Sequence, residues 1–306
     1  MRKSKSISIT IVGLMSGLVS MVPTTEAEAG FTPIDFPDAT SSAALDIDSA
    51  GDIVGRYVSA VDGNTHGFLL DRHGEFTTID APRANFTVAA GISSPGDIVG
   101  NYRLRGEPLM VRHGFRLSSD TFTTIDPPGS VFTNALGINR RGDIVGRYCT
   151  VLPCLPEKQH GYLLSRGEFS SIDVPGAAGT SAWEINDRGE IVGGYQGTDG
   201  RSHVYLLRKG QFATIDFPGA IDTAPALSKG GINSSGDIVS YYCAAKPCSL
   251  NNDSEHGFLL SDDEFTTFDF PGGHATAGFG INARGDIVGS YNDKSGTEHG
   301  FLLNPE

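Results

Sequence analysis

The chain has 306 residues and carries 23 Lys and Arg against 36 Asp and Glu, a formal net charge of −13. A field of that sign argues against nucleic acid and anionic membrane surfaces as partners, since both recruit clustered Lys and Arg. No stretch is apolar over the roughly 20 residues that a bilayer span needs, so no membrane span is expected.

The N-terminal stretch is of a different kind from the rest. Arg2, Lys3 and Lys5 form a positive head, residues 7–22 an apolar run, and Ala27-Glu28-Ala29 a small-residue cleavage site. Together they predict a secretory signal over 1–29, with a mature chain that begins at Gly30 and is secreted or periplasmic.

From Gly30 onward the sequence is an array. Gly-Asp-Ile-Val-Gly at 51–55 returns in near copies at 96–100, 142–146, 189–193, 236–240 and 285–289. Each copy is followed by a tyrosine, then a His-Gly-Phe-Leu-Leu-like run, then Phe-Thr-Thr-Ile-Asp or a variant. A period of about 47 residues suits a propeller blade of four strands. The first strand runs into Gly-Ile-Asn (137–139, 231–233, 280–282), and the Asn-x-x-Gly after it is turn chemistry: Asn closes an Asx turn and Gly accepts positive φ. Ile-Val and Phe-Leu-Leu are apolar on consecutive residues, which means strands buried on both faces.

The ends complete each other. Phe31 to Asp35 is a fourth strand with no first three before it, and His299 to Leu303 a third strand with no fourth after it. Residues 30–306 are thus predicted to be one all-β domain, a six-bladed β-propeller of four-stranded blades. The N-terminal strand, Phe31 to Asp35, would complete the last blade and remove the open edges of an array. An open solenoid is the alternative.

His-Gly-Phe-Leu-Leu (66–70), Gly-Ile-Asn-x-x-Gly-Asp-Ile-Val-Gly (137–146) and their six-fold recurrence resemble the HAF-type extracellular repeat family. Gly stands for the family's Ala at five of the six positions and Val204 at the sixth. The resemblance implies an exported protein of repeated β units and brings no established activity.

Cys149 and Cys154 follow Tyr148, and Cys243 and Cys248 follow Tyr242, the same C-x4-C spacing at one repeat position twice. In an exported chain this predicts two local disulfides, with a four-thiolate zinc site as the rival. Six histidines (His66, His113, His160, His203, His256 and His299) share one repeat position. A hairpin that pairs Leu70 with Phe76 carries His66 toward Asp80, and the same count gives five more His–Asp pairs. Six copies point to a structural role.

Chemistry is expected where the repeat is broken. Four first strands carry Gly91, Gly137, Gly231 and Gly280 before the turn, but the first blade has Asp46 and the fourth Glu184, opposite each other in a ring of six. With Asp48 and Asn186 they set oxygen ligands at alternate residues before a glycine turn, which suggests calcium; solvated turn carboxylates are the plainer reading. Trp183 beside Glu184 would stack a ligand or fill the core. His274, outside the repeat positions, is the general-base candidate, although up to about 20 Å of extended strand separates it from Gly280.

Two functions follow. One is a calcium-assisted hydrolase of lactones or small esters, with Asp46, Asp48, Glu184 and Asn186 on the metal and His274 or Glu184 activating water. Gluconolactonases and paraoxonases look similar in predicted architecture, and the likeness implies the chemistry by analogy alone. The other is a non-catalytic extracellular module binding a glycan, peptide or envelope partner through its variable loops.

Overall fold

The computed structural model describes residues 30–224, 229–248 and 254–304. The predicted signal over 1–29 lies outside the described residues. The fold is an all-β propeller, and the one helical turn among the described residues is a 3₁₀ turn at Pro156–Lys158 inside a cysteine loop. No described helix is long and apolar enough to cross a membrane.

Each repeat forms antiparallel strands laid side by side in chain order. In repeat 3 these are Phe132–Ile138, Ile144–Cys149, His160–Ser165 and Glu168–Ile172; in repeat 4, Gly179–Ile185, Ile191–Gln196, Ser202–Arg208 and Gln211–Ile215. The strands of repeats 1 and 2 count as one eight-stranded sheet through a single parallel bridge, Thr65 to Phe86. In repeat 6 the strands Thr276–Ile281, Ile287–Asn292 and Glu298–Asn304 are followed in the sheet by Gly30–Ile34, whose Thr32 lies opposite Leu302.

The Ile-Val pair explains how the sheets stack. Ile53 packs within its own repeat, whereas Val54 packs against Ile79, Ala89 and Phe115 around the second strand set. Val99, Val145, Val192 and Val239 likewise enter the cluster of the repeat that follows, and Val288 of repeat 6 packs with Ile47 and Phe68 of repeat 1. Neighbouring sheets are therefore joined by side chains from the same dipeptide, each large one contributing roughly 1.5–3 kcal/mol on burial.

The glycine that closes Gly-Asp-Ile-Val-Gly is fixed by close approach. At Gly55, Gly100, Gly146, Gly193 and Gly289 a Cβ would collide with a carbonyl of the first strand and with the ring of Phe68, Phe115, Tyr162, Tyr205 or Phe301. Repeat 5 has Ser240 at this position, and its described first-strand pieces, Asp222–Thr223 and Gly231–Ile232, both pair with the second strand.

Candidate functional site

The turn-side ends of all six first strands line one opening of about 170 Å³, reached by Asp46, Ile92, Ile138, Glu184, Ile232 and Ile281. A β-bulge precedes Asp46, Gly91, Gly137, Glu184 and Gly280, and aims these positions inward. The four glycines are there for want of room. A Cβ on Gly137 would lie 2.7 Å from the Glu184 Cα, and one on Gly280 would lie 2.8 Å from the Asp46 Cα. Two side chains fit where six would not, and both are acids.

Between them stands a cation that sequence reading missed. Lys229 is only 6% exposed, and its Nζ donates to Glu184 Oε2 at 3.3 Å and to the Leu136 carbonyl at 3.2 Å. Asp46 accepts from the Ile47 amide at 2.9 Å and from the Ile92 amide of the next repeat at 2.8 Å. Burial pushes both carboxyls up, Glu184 to about 8; the Asp46 charge adds to the rise of Glu184 and the Asp48 charge to that of Asp46, while Lys229 opposes both. The available signal was a lone lysine before Gly230-Gly231 at the start of an otherwise apolar inner strand.

Asp46, Asp48, Glu184 and Asn186 all line this opening, with Asp48 and Asn186 engaged in their own turns. Asp48 Oδ1 accepts from the amides of Ala50, Gly51 and Asp52, closing its own turn. Asn186 Oδ1 accepts from Arg188 and Glu190, while its Nδ2 donates to Glu190 and to the Asn233 carbonyl. Among the described residues no three His, Cys, Asp or Glu side chains gather as a cation site. Of the four donors assigned to calcium, Asp48 and Asn186 close turns and Glu184 pairs with Lys229.

The turn asparagines tie the ring instead. Asn139 Nδ2 donates to the Asn186 carbonyl, Asn186 to Asn233, Asn233 to Asn282, and Asn282 to Asp48, at 3.1 to 3.4 Å. His274 is remote from these groups. It precedes Thr276–Ile281 and its amide donates to the Asn292 carbonyl, so it does not reach the opening beside Glu184. Trp183 is fully buried among Val192, Val204 and Ile232, as core.

The outer rim is where the repeats agree. His66 Nδ1 lies 2.9 Å from Asp80, and the corresponding pairs are His113–Asp126, His160–Asp173, His203–Asp216, His256–Asp269 and, across the chain ends, His299–Asp35. A carboxylate that accepts from Nδ1–H fixes the tautomer and leaves Nε2 toward solvent or a second acid. Each histidine lies beside the repeat's tyrosine, with ring centroids 4.8 to 5.4 Å apart. At His66 and His113 burial opposes the charge, but the flanking carboxylates outweigh it and raise both imidazoles.

The loops after the second strands differ. Disulfides join Cys149 to Cys154 and Cys243 to Cys248, each with Cα atoms 5.7 Å apart, as the spacing predicts. Leu109, Val151 and Leu152 are exposed on these loops, and Arg112 lies 4.0 Å over the Phe86 ring.

No protein-family model matches the chain, and no curated protein does. Solved structures similar in fold include the Aleuria aurantia lectin in complex with Fucα1-6GlcNAc, at 12% identity over 87% of this chain and 93% of that chain, TM-score 0.56. A further structure of the same lectin, described as a six-bladed β-propeller with a novel fucose recognition mode, matches at 13% identity over 86% and 91%, TM-score 0.55. A putative TolB from Agrobacterium tumefaciens matches at 14% identity over 86% and 89%, TM-score 0.57. At such identities the likeness shows a β-propeller and nothing finer.

Proposed function

We propose that this chain is an exported, non-catalytic carbohydrate-binding propeller, six four-stranded blades in a ring closed by Gly30–Ile34. The observation that carries the reading is the contrast between axis and rim. At the axis, Lys229 pairs with Glu184, and Asp48 and Asn186 are engaged in the hydrogen bonds of their own turns. At the rim, every repeat sets a tyrosine beside a carboxylate-held imidazole, and in repeat 4, where no phenylalanine stacks on it, Tyr195 combines an apolar face with a hydrogen-bonding edge that suits sugars. The fold likeness to a fucose-binding lectin supports this choice among ligands. The calcium-assisted hydrolase is the less favoured reading, because among the described residues no three His, Cys, Asp or Glu gather as a cation site and His274 lies away from Glu184.

Residues 30–306 should be titrated with methyl glycosides, methyl α-L-fucoside among them, with and without EDTA, and assayed in parallel on lactones. Binding that is indifferent to EDTA, with no lactone turnover, is expected. Lactone hydrolysis that EDTA abolishes would overturn the reading.

A further inference from the structure

The residue that follows each His-paired aspartate sits under the tyrosine of the next repeat, and its identity divides the repeats into two kinds. In repeats 1, 5 and 6 it is phenylalanine. Phe36 stacks on Tyr57 at 3.7 Å and 2°, Phe217 on Tyr242 at 3.7 Å and 2°, and Phe270 on Tyr291 at 3.5 Å and 4°. Each also meets the edge of a second ring, Phe76, Phe265 or Phe31, at 5.1 to 5.4 Å. A slot between two aromatic rings is filled by the chain itself.

In repeat 4 the position holds Val174, packed with Tyr195 and Phe212. The backbone has not moved away. The Val174 amide donates to Thr180 Oγ1 at 3.0 Å, as the Phe36 amide does to Ser42 Oγ, the Phe217 amide to Thr223 and the Phe270 amide to Thr276, at 3.0 to 3.2 Å. Only the ring is missing. Its place belongs to a cleft of about 830 Å³ lined by Val174, Tyr195, Asp199, His203, Gln211 and Phe212. The turn that follows Tyr195 is short, running Gly197 to Gly200, where repeats 2 and 3, with Ala81 and Pro127 at the equivalent position, carry the longer loops 104–112 and 149–159.

We propose that this cleft binds one pyranose ring, laid on Tyr195 in the place that Phe36, Phe217 and Phe270 occupy in the other repeats. The proposal rests on the carbohydrate-binding reading and assigns it a location. Stacking on Tyr195 with Phe212 edge-on takes up the C–H face of a sugar. The edge of the cleft takes the hydroxyls: Asp199 accepts from them while its Oδ1 stays 3.3 Å from His203 Nε2, and Gln211 offers both a donor and an acceptor. Thr214, hydrogen-bonded to the Tyr195 hydroxyl at 2.9 Å, holds the platform. An aromatic side chain of a peptide would match the face and leave this polar edge unanswered.

The test is Val174→Phe in residues 30–306, which supplies the plug that three repeats already accommodate and so should fold normally by thermal melt. Affinity for the best methyl glycoside should fall at least tenfold, and amide NMR shifts at Thr198 and Asp199 that follow sugar addition in the parent should vanish. Sugar binding that survives Val174→Phe overturns the cleft and leaves the carbohydrate reading standing. Binding of N-acetyl-phenylalaninamide in the cleft without any sugar overturns the pyranose assignment, and a parent that binds no sugar overturns both.

Discussion

Lys229 decides what the axial acids are. A buried ion pair adds little net stability, but a buried charge stripped of its partner is costly, about 3–5 kcal/mol. Lys229→Met should therefore destabilise the fold by about that amount at pH 8.5, measured as a shift of the urea midpoint. The sign of the pH dependence follows from Glu184. Its folded pKa of about 8 lies above the ordinary 4.5, so the proton it keeps stabilises the fold fully below pH 4.5, and that contribution is lost as the pH rises through 8. Without the ammonium both acids cling to protons more strongly, so the gap between Lys229→Met and the parent should close toward pH 5. Replacing all three, as Asp46→Asn, Glu184→Gln and Lys229→Met together, should return most of the loss, because no charge is then left unanswered. A Lys229→Met protein as stable as the parent at pH 8.5 would show that water already reaches the cluster. The departure of Asp46 and Glu184 from a glycine pattern was legible in the sequence. Its cause was not, because the cation comes from another repeat and the crowding that forces glycine elsewhere is visible only when the strand ends meet.

At the scale of the element, the second strand sets how close the first can come. Gly146 faces the Asn134 carbonyl with Tyr162 above it, and Gly146→Ala would force a Cβ into both. Gly146→Ala is expected to cost about 3 kcal/mol, with amide exchange rising along Phe132–Ile138 and little elsewhere. Uniform exchange across the chain would mean that the strand does not loosen locally. Hairpin register was the readable part of these elements: Leu70 does lie opposite Phe76, and counting back from that pair reaches every His–Asp contact. Nothing in the order Phe36, Ala81, Pro127, Val174, Phe217, Phe270 says that a tyrosine from the following repeat lies across that position, since the contact is set by how successive sheets stack.

At the scale of the whole molecule, the pairing of Gly30–Ile34 with Glu298–Asn304 joins the first described strand to the last. Gly30–Ile34 pairs along Glu298–Asn304, Asp35 holds His299, Arg56 of repeat 1 reaches Glu298 at 2.6 Å, and Asn282 donates to Asp48. Four independent contacts cross the same seam. Removing residues 30–35 leaves the Glu298–Asn304 edge unpaired and uncovers the ring of Phe301, which otherwise meets Phe31 at 5.3 Å. An exposed edge of that kind recruits other strands. The truncated chain should melt at a lower temperature than the parent and sediment as concentration-dependent aggregates, and a synthetic peptide covering residues 30–37 should restore both properties when added in excess. A peptide altered at Phe31→Ala and Ile34→Asn should not, because its backbone pairs but its side chains no longer seal the gap between the last sheet and the first. If the truncated chain instead stays monomeric with an unchanged melt, the ring does not need its clasp, and the stacking of Val288 on Ile47 and Phe68 alone holds repeat 6 to repeat 1.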